Sequence, residues 1–444
     1  METRTLSNGM RVVLAPCEAE SVAVGLFVAS GSRHETAKTA GISHFIEHML
    51  FKGTPTRTPL QITQAVEGRG GNFNAFTGEE ATCYYTHMPD EYLGESIDIL
   101  SDMYLNASIP EDEFRREKGV VIEEIRMYAD EPDSVAMENL QRSLFPDSQL
   151  GAPVAGSEKS LSPMEPDDLR RYIRSHYRAD NTIAVLVGNF DKEKAFALVA
   201  KAFASLKSPK TSKPQPLSNS NFSLQLKKRS KASPSWVSVG KDVQQTQIAI
   251  GYRTFGIGDR RRYAAAVFDA IMGRGMSSRL FQSVRERRGL SYDISSRMQF
   301  FTDAGMWTVT AGVAPDKAES ALATIDRELA RIRERKVSAA ELRRTKDFLT
   351  GNFKLSHERV TSKLFFYGQT LLSFGRPVMP EEQVEGIRAV TADDILAVAR
   401  SILRPTMRAV SLVTPKGDSA TARSRLEFTH FLSAEMRHTR IDKG

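Results

Sequence analysis

The sequence predicts an α+β fold of two homologous domains, each a mostly antiparallel β-sheet with helices packed on one face. Three observations carry this. Both halves alternate short β-branched apolar runs with longer stretches of three-and-four apolar spacing, the marks of strands and amphipathic helices. Between them lies SPKTSKPQPLSNSNFSLQLKKRSKASP, rich in Ser, Pro and Lys and poor in periodic apolar positions. After that segment the pattern of the first half starts again. The domains are expected at 1–207 and 236–444, joined by a linker at 208–235, and 444 residues give each half room for its own core.

Taken in order, residues 10–30 give two apolar runs around a polar turn. AGISHFIEHMLFKGT (40–54) follows as a helix: Ile42, Phe45, Ile46, Met49 and Leu50 recur at three and four, Thr39 can cap its start, and Gly53 with Pro55 ends it. A second helix spans roughly 58–68. NFNAFTGEEATCYYTHM (72–88) reads as two strands joined at Thr77-Gly78-Glu79-Glu80. Asp90 opens a helix to about Leu105, and the capping box Ser108-Ile109-Pro110-Glu111 opens another that can run to about Asp130, before Pro132.

Two of these helices carry candidate chemistry. His44 and His48 stand four apart, so both imidazoles leave one helix face about a turn apart, as two ligands of one metal require. Glu47 precedes the second histidine, beside that face, where a carboxylate could take a proton from water; the order is H-x-x-E-H. On the later helix Phe114, Glu117, Val121, Glu124 and Tyr128 share one face. Two carboxylates on a core-directed stripe need a partner, which a metal, an arginine such as Arg116 or solvent could be. A core helix with incidental histidines and surface acids is the plainer alternative.

The repeat separates these readings. VAVGLFVASGS (22–32) aligns with QIAIGYRTFGIGD (247–259), HFIEHML with AVFDAIM (266–272), and EFRREKGVVIEEI (113–125) with ELRRTKDFLTGNF (341–353). In the second copy His44, Glu47 and His48 face Ala266, Asp269 and Ala270, while Glu117 and Glu124 face Thr345 and Asn352. Residues needed only for packing should persist in both copies. Those that differ together are better explained as one site present in the first half alone.

Composition bounds the rest. A hydrophobic content of 41% with 26% charged residues is that of a soluble globular protein. Two cysteines, Cys17 and Cys83, argue against a disulfide framework or a Cys-rich zinc site. The net charge of +7 gathers partly at Lys227, Lys228, Arg229 and Lys231 in the linker and lacks aromatic interleaving, so no nucleic acid partner is expected. No window has the apolar length of a membrane span and the N-terminus lacks a signal pattern, so no membrane and a cytoplasmic location are expected.

HFIEH, GGNFNAFTGEEATCYY, EKGVVIEEI and GMSSRLFQSVRERRGLSY (275–292) together resemble the M16 (pitrilysin, or inverzincin) metallopeptidases, in particular the short subunits related to mitochondrial processing peptidase. The resemblance covers roughly residues 5–415. It implies one zinc ion (Zn2+) held by His44, His48 and Glu124, with Glu47 as general base and Glu117 as a supporting acid. It further implies that Asn74, Ala75, Phe76 and Thr77 accept a peptide substrate as an added strand, and that Arg285 and Tyr292 contact its backbone near the scissile bond. The activity implied is zinc-dependent endopeptidase action on extended or unfolded peptides within a chamber. A chain of this length supplies half of such a chamber, so a homodimer is expected, or a heterodimer with a related subunit. Non-catalytic scaffold subunits share the fold; they normally lack part of the ligand set, which is complete here. Arg274 interrupts an otherwise glycine loop and Ser134 replaces an expected acid, both departures from the processing-type pattern.

Overall fold

The computed structural model describes residues 1–208 and 235–417. Nearly all of the expected linker, including its basic cluster at 227–231, lies outside them. The described residues form two compact units, the first made of 1–127, 152–208 and 354–378, the second of 128–151, 235–353 and 379–417.

In the first unit, strands β1 (Glu2–Thr5), β2 (Arg11–Pro16), β3 (Ser21–Val28), β4 (Asn72–Thr77), β5 (Thr82–Pro89) and β6 (Thr182–Gly188) form one sheet in the order β1-β2-β6-β3-β5-β4. Only the β2–β6 pair is parallel. β3 and β6 are buried along almost their whole length, which is why they read as continuous apolar runs rather than alternating ones. The helices before the midpoint of the chain are α1 (Ile42–Leu50), α2 (Pro59–Glu67), α3 (Leu93–Asn106), α4 (Glu111–Asp130), α5 (Pro132–Leu144), α6 (Glu158–Leu161), α7 (Pro166–His176) and α8 (Lys192–Ala202). Val12, Leu14, Val24 and Leu26 pack on one side against Phe45, Ile46, Met49, Ile97 and Leu100 of α1 and α3.

The second unit is built from β7 (Ser235–Lys241), β8 (Thr246–Thr254), β9 (Ser291–Phe300), β10 (Gly305–Val313) and β11 (Arg408–Pro415), in the order β7-β11-β8-β10-β9. β7 and β11 are parallel and the other pairs antiparallel. This repeats the order β2-β6-β3-β5-β4, including the place of the parallel pair, as a duplicated fold must. Helices α9 (Arg262–Gly273), α10 (Ala318–Glu334), α11 (Ala339–Ser356), α12 (Val360–Phe374), α13 (Pro380–Ala389) and α14 (Ala392–Ile402) complete the described chain.

Each sheet carries its helices on one face, as expected, and in addition one helix on the other face. Val360, Leu364, Tyr367 and Leu371 of α12 cover Val13, Ala23, Phe27 and Val185 in the first unit. Ala136, Leu140 and Leu144 of α5 cover Ala249, Met306 and Val413 in the second. The units therefore depart from the division 1–207 and 236–444 by these two helices. The apolar stripes of α5 and α12 say that each is buried, but a stripe does not name the sheet it meets.

Cys17 and Cys83 are both free thiols, Cys83 buried. Among the described residues no helix is long and apolar enough to cross a membrane.

Candidate metal centre

The site begins at the start of α1. Gly41 precedes it with φ of 92°, and a Cβ there would stand 2.5 Å from the carbonyl oxygen of Ala155, so only glycine fits. Thr39 does not cap the helix; its hydroxyl accepts from the Thr36 amide at 2.9 Å. The first amides are taken instead by Glu35, a buried carboxylate whose two oxygens accept from Gly41 N at 2.7 Å and Ser43 N at 2.8 Å. With both oxygens engaged by these amides, Glu35 holds the start of α1 in place. Phe45, fully buried, packs against Phe114 of α4 with the rings tilted by 30° and their centroids 4.9 Å apart, which fixes the two ligand-bearing helices against each other.

Burial pushes the Glu35 carboxyl up to about 7, against the opposing pull of its two amide hydrogen bonds. Between its ordinary 4.5 and about 7 the folded chain thus holds a proton that the unfolded chain has released. Stability from this group is complete below 4.5 and is lost as pH rises towards 7. Glu35→Gln, which cannot ionise, is expected to remove that loss, so that the stability of the natural chain relative to the variant falls across this window. Urea unfolding at three pH values within it measures this; equal pH slopes for the two chains would contradict it.

With α1 and α4 so placed, three donors converge. Nε2 of His44 lies 3.7 Å and Nε2 of His48 3.4 Å from Oε2 of Glu124. The ligand atoms of these three residues all fall within 4.8 Å of one another. Zinc bonds of about 2.0–2.2 Å to a tetrahedral set place neighbouring donors roughly 3.3–3.6 Å apart, close to the two spacings seen. His48 Nδ1 stands 3.2 Å from Oε2 of Glu117, an arrangement in which Nδ1–H donates to the carboxylate and the Nε2 lone pair faces inward. Glu117 is buried and its other oxygen meets Lys52 Nζ at 2.6 Å. Burial lowers the pKa of His44, reinforced by His48 and opposed by Glu124, which keeps that imidazole neutral and able to donate its lone pair. Two imidazole lone pairs and a carboxylate oxygen aimed at one point repel unless a cation lies among them. The donor set therefore fits a zinc ion.

Glu47 lies beside this cluster. Thr77 Oγ1 donates to its Oε2 at 2.5 Å, and burial raises the carboxyl's pKa while that hydrogen bond lowers it. Thr77 ends β4, the edge strand of the first sheet, whose outer side has no strand partner among the described residues. Within Asn74–Thr77 the side chains are largely engaged: Phe76 packs on Phe365 at 5.6 Å, Ala75 lies against the core, and Asn74 Oδ1 accepts from the Ala75 amide at 2.8 Å. What the strand leaves to offer is chiefly backbone.

Arg285 and Tyr292 belong to the second unit. The Arg285 guanidinium lies over the rings of both Phe281 and Tyr292, 4.7 Å from each centroid, and Tyr292 is 80% exposed. In that unit the counterpart of Glu47, Asp269, is buried and accepts from Ser296 Oγ at 2.6 Å and Trp307 Nε1 at 2.8 Å. Its carboxylate is spent on internal hydrogen bonds. Sequence reasoning missed Glu35, Lys52 and the Thr77–Glu47 bond. Lys52 could have been found, since it stands four residues after His48, just past the end of α1, whereas nothing in the local pattern singles out Glu35.

The family described as insulinase (peptidase family M16) matches residues 11–158, and the M16 inactive domain matches residues 163–349. An uncharacterized zinc protease of Bacillus subtilis is 33% identical over 415 residues, 93% of this chain and 98% of that protein. Another, from Rickettsia felis, is 35% identical over 399 residues, covering 89% of this chain and 93% of its own. The crystal structure of a protease from Helicobacter pylori has the same fold, with a TM-score of 0.87 at 22% identity over 93% of this chain and 99% of that one. With a two-copy fold in which, among the described residues, the first copy alone gathers two histidines and a glutamate, and relatives matched over nearly its whole length, the chain belongs to the M16 peptidase family.

Proposed function

We propose that this chain is a zinc-dependent endopeptidase that hydrolyses extended or unfolded peptides. The observation that carries the reading is the convergence of His44, His48 and Glu124 beside Glu47, whose Oε2 is held by Thr77. His44, His48 and Glu124 would hold the metal, and Glu117 with Lys52 would orient His48. Bound zinc supplies Lewis acidity, polarising a carbonyl and making water a better nucleophile near neutral pH.

The proton steps fall to Glu47. Its carboxylate accepts a proton from the water as the oxygen attacks the peptide carbonyl carbon, then delivers that proton to the amide nitrogen as the C–N bond breaks. Thr77 fixes which oxygen of Glu47 is free for this exchange. The open edge of β4 at Asn74–Thr77 would take the substrate as an added strand, read through backbone groups, which suits a chain already extended. Arg285 and Tyr292 would donate to the substrate backbone. A dimer, homomeric or with a related subunit, would complete the chamber. What supports these last two assignments is the family resemblance.

The test is digestion of an unfolded polypeptide with and without a zinc chelator. Cleavage is expected to stop on chelation and return when zinc is restored, with far-ultraviolet circular dichroism unchanged throughout. Undiminished cutting by a chelated, folded sample would contradict the proposal.

A further inference from the structure

A strand added at the edge of β4 is held through main-chain hydrogen bonds, which almost any sequence can make, and selectivity then depends on pockets for its side chains. The helix that carries Glu124 offers a surface for them. Val120 precedes Glu124 by four residues and Met127 follows it by three, so each stands about 5–6 Å from it along α4. At 3.6 residues per turn both fall on the same side of Glu124, about 40° and 60° round the helix, while the buried Glu117 and Val121 fall on the other. Val120 is 46% and Met127 50% exposed.

The charged positions around them on the exposed side of α4 are paired: Arg116 meets Glu113 at 2.6 Å, and Arg126 meets Glu123 at 2.6 Å and Glu158 at 3.1 Å. Single apolar residues are common on protein surfaces, but these two interrupt the charge where the helix borders the converging donors. The duplicated fold supplies a control. Phe348, aligned with Val120, packs against the core of the second unit, where a Cβ on Gly275 would stand 3.2 Å from its ring. Leu355, aligned with Met127, is 63% exposed, so the contrast singles out Val120. Among the described residues, that helix position is covered in the copy without metal ligands and open in the copy that has them.

We propose that Val120 and Met127 are specificity-determining residues that receive apolar substrate side chains next to the scissile bond, one on each side of it. The inference rests on the endopeptidase reading above and adds the class of substrate to it: extended segments with apolar residues flanking the cut. Val120, branched at Cβ and restricted at χ1, makes the stiffer and more size-selective wall. Met127, unbranched and polarizable, adapts to larger or irregular side chains. Neither is a metal donor or a proton-transfer group.

The test is digestion of a peptide library by the natural chain, Val120→Glu and Met127→Glu, read at each position around the cut as the ratio of kcat/KM for basic over apolar residues. Losses common to all substrates, including those from partial misfolding, cancel in that ratio. The natural chain is expected to favour apolar residues on both sides of the cut. Each variant is expected to shift the ratio about tenfold or more towards Lys and Arg on one side only, the two variants on opposite sides. Binding of the same peptides to zinc-loaded Glu47→Gln, with and without each substitution, reads the preference without the chemistry. Cutting with unchanged ratios would overturn the inference and leave the endopeptidase reading standing; the expected preference in binding, with no cutting by the natural chain, would do the reverse. Loss of a dimer on size exclusion in either variant, with the ratios unchanged, would overturn the inference in favour of a subunit contact.

Discussion

Replacing Glu47 by Gln is expected to lower kcat for peptide cleavage by at least about a hundredfold while leaving the zinc content at that of the natural chain. The amide is nearly isosteric with the carboxylate and can still accept from Thr77 Oγ1, so the local structure should persist. What it cannot do is take a proton from water and pass it to the leaving nitrogen. Because Glu47 is not among the three converging donors, metal binding should be spared, and KM should change far less than kcat. Parallel kinetics and metal analysis of the two proteins check this. A variant that kept its activity would remove Glu47 from the chemistry and return the chain to the reading of a non-catalytic subunit.

Replacing Glu124 by Ala should have the complementary effect, with zinc and activity lost together. Glu124 Oε2 is the atom both Nε2 atoms approach, so its removal opens the donor set on its α4 side. The loss in affinity should exceed the roughly 10–100-fold associated with removing a supporting group such as Glu117. Folding should survive, because Glu124 is only partly buried and the α1–α4 contact rests on Phe45 and Phe114. The matching change in the second copy, Asn352→Ala, should leave zinc content untouched. Equilibrium dialysis against buffered zinc compares all three chains; a fall in affinity in both variants would mean that the measured ion is not at this site.

Much of this was legible in the sequence because two kinds of signal coincide there. The strands and helices follow from periodicity, and the repeated order β2-β6-β3-β5-β4 follows from the alignment of the halves. His44, His48 and Glu124 stand out because their aligned partners, Ala266, Ala270 and Asn352, have no metal-binding chemistry of that kind. The exchange of α5 and α12 was hidden, since both sheets offer apolar outer faces and Ala136, Leu140 and Leu144 would suit either. The start of α1 was misread for a physical reason as well. A threonine three residues ahead of a helix looks like a cap, but a carboxyl farther back in the chain reaches two amides at once with its two oxygens, where a hydroxyl offers one. Arg285 and Tyr292 show the opposite limit: within a charged run nothing but resemblance distinguishes them, although their stacking is plain once the backbone is folded.

The most direct measurement is anomalous diffraction at the zinc edge from crystals of the natural chain. The account predicts one strong peak per chain within bonding distance of Nε2 of His44, Nε2 of His48 and the carboxylate of Glu124, and no peak in crystals of Glu124→Ala. A zinc-loaded chain whose only anomalous peak lay elsewhere, with these three side chains unligated, would contradict it.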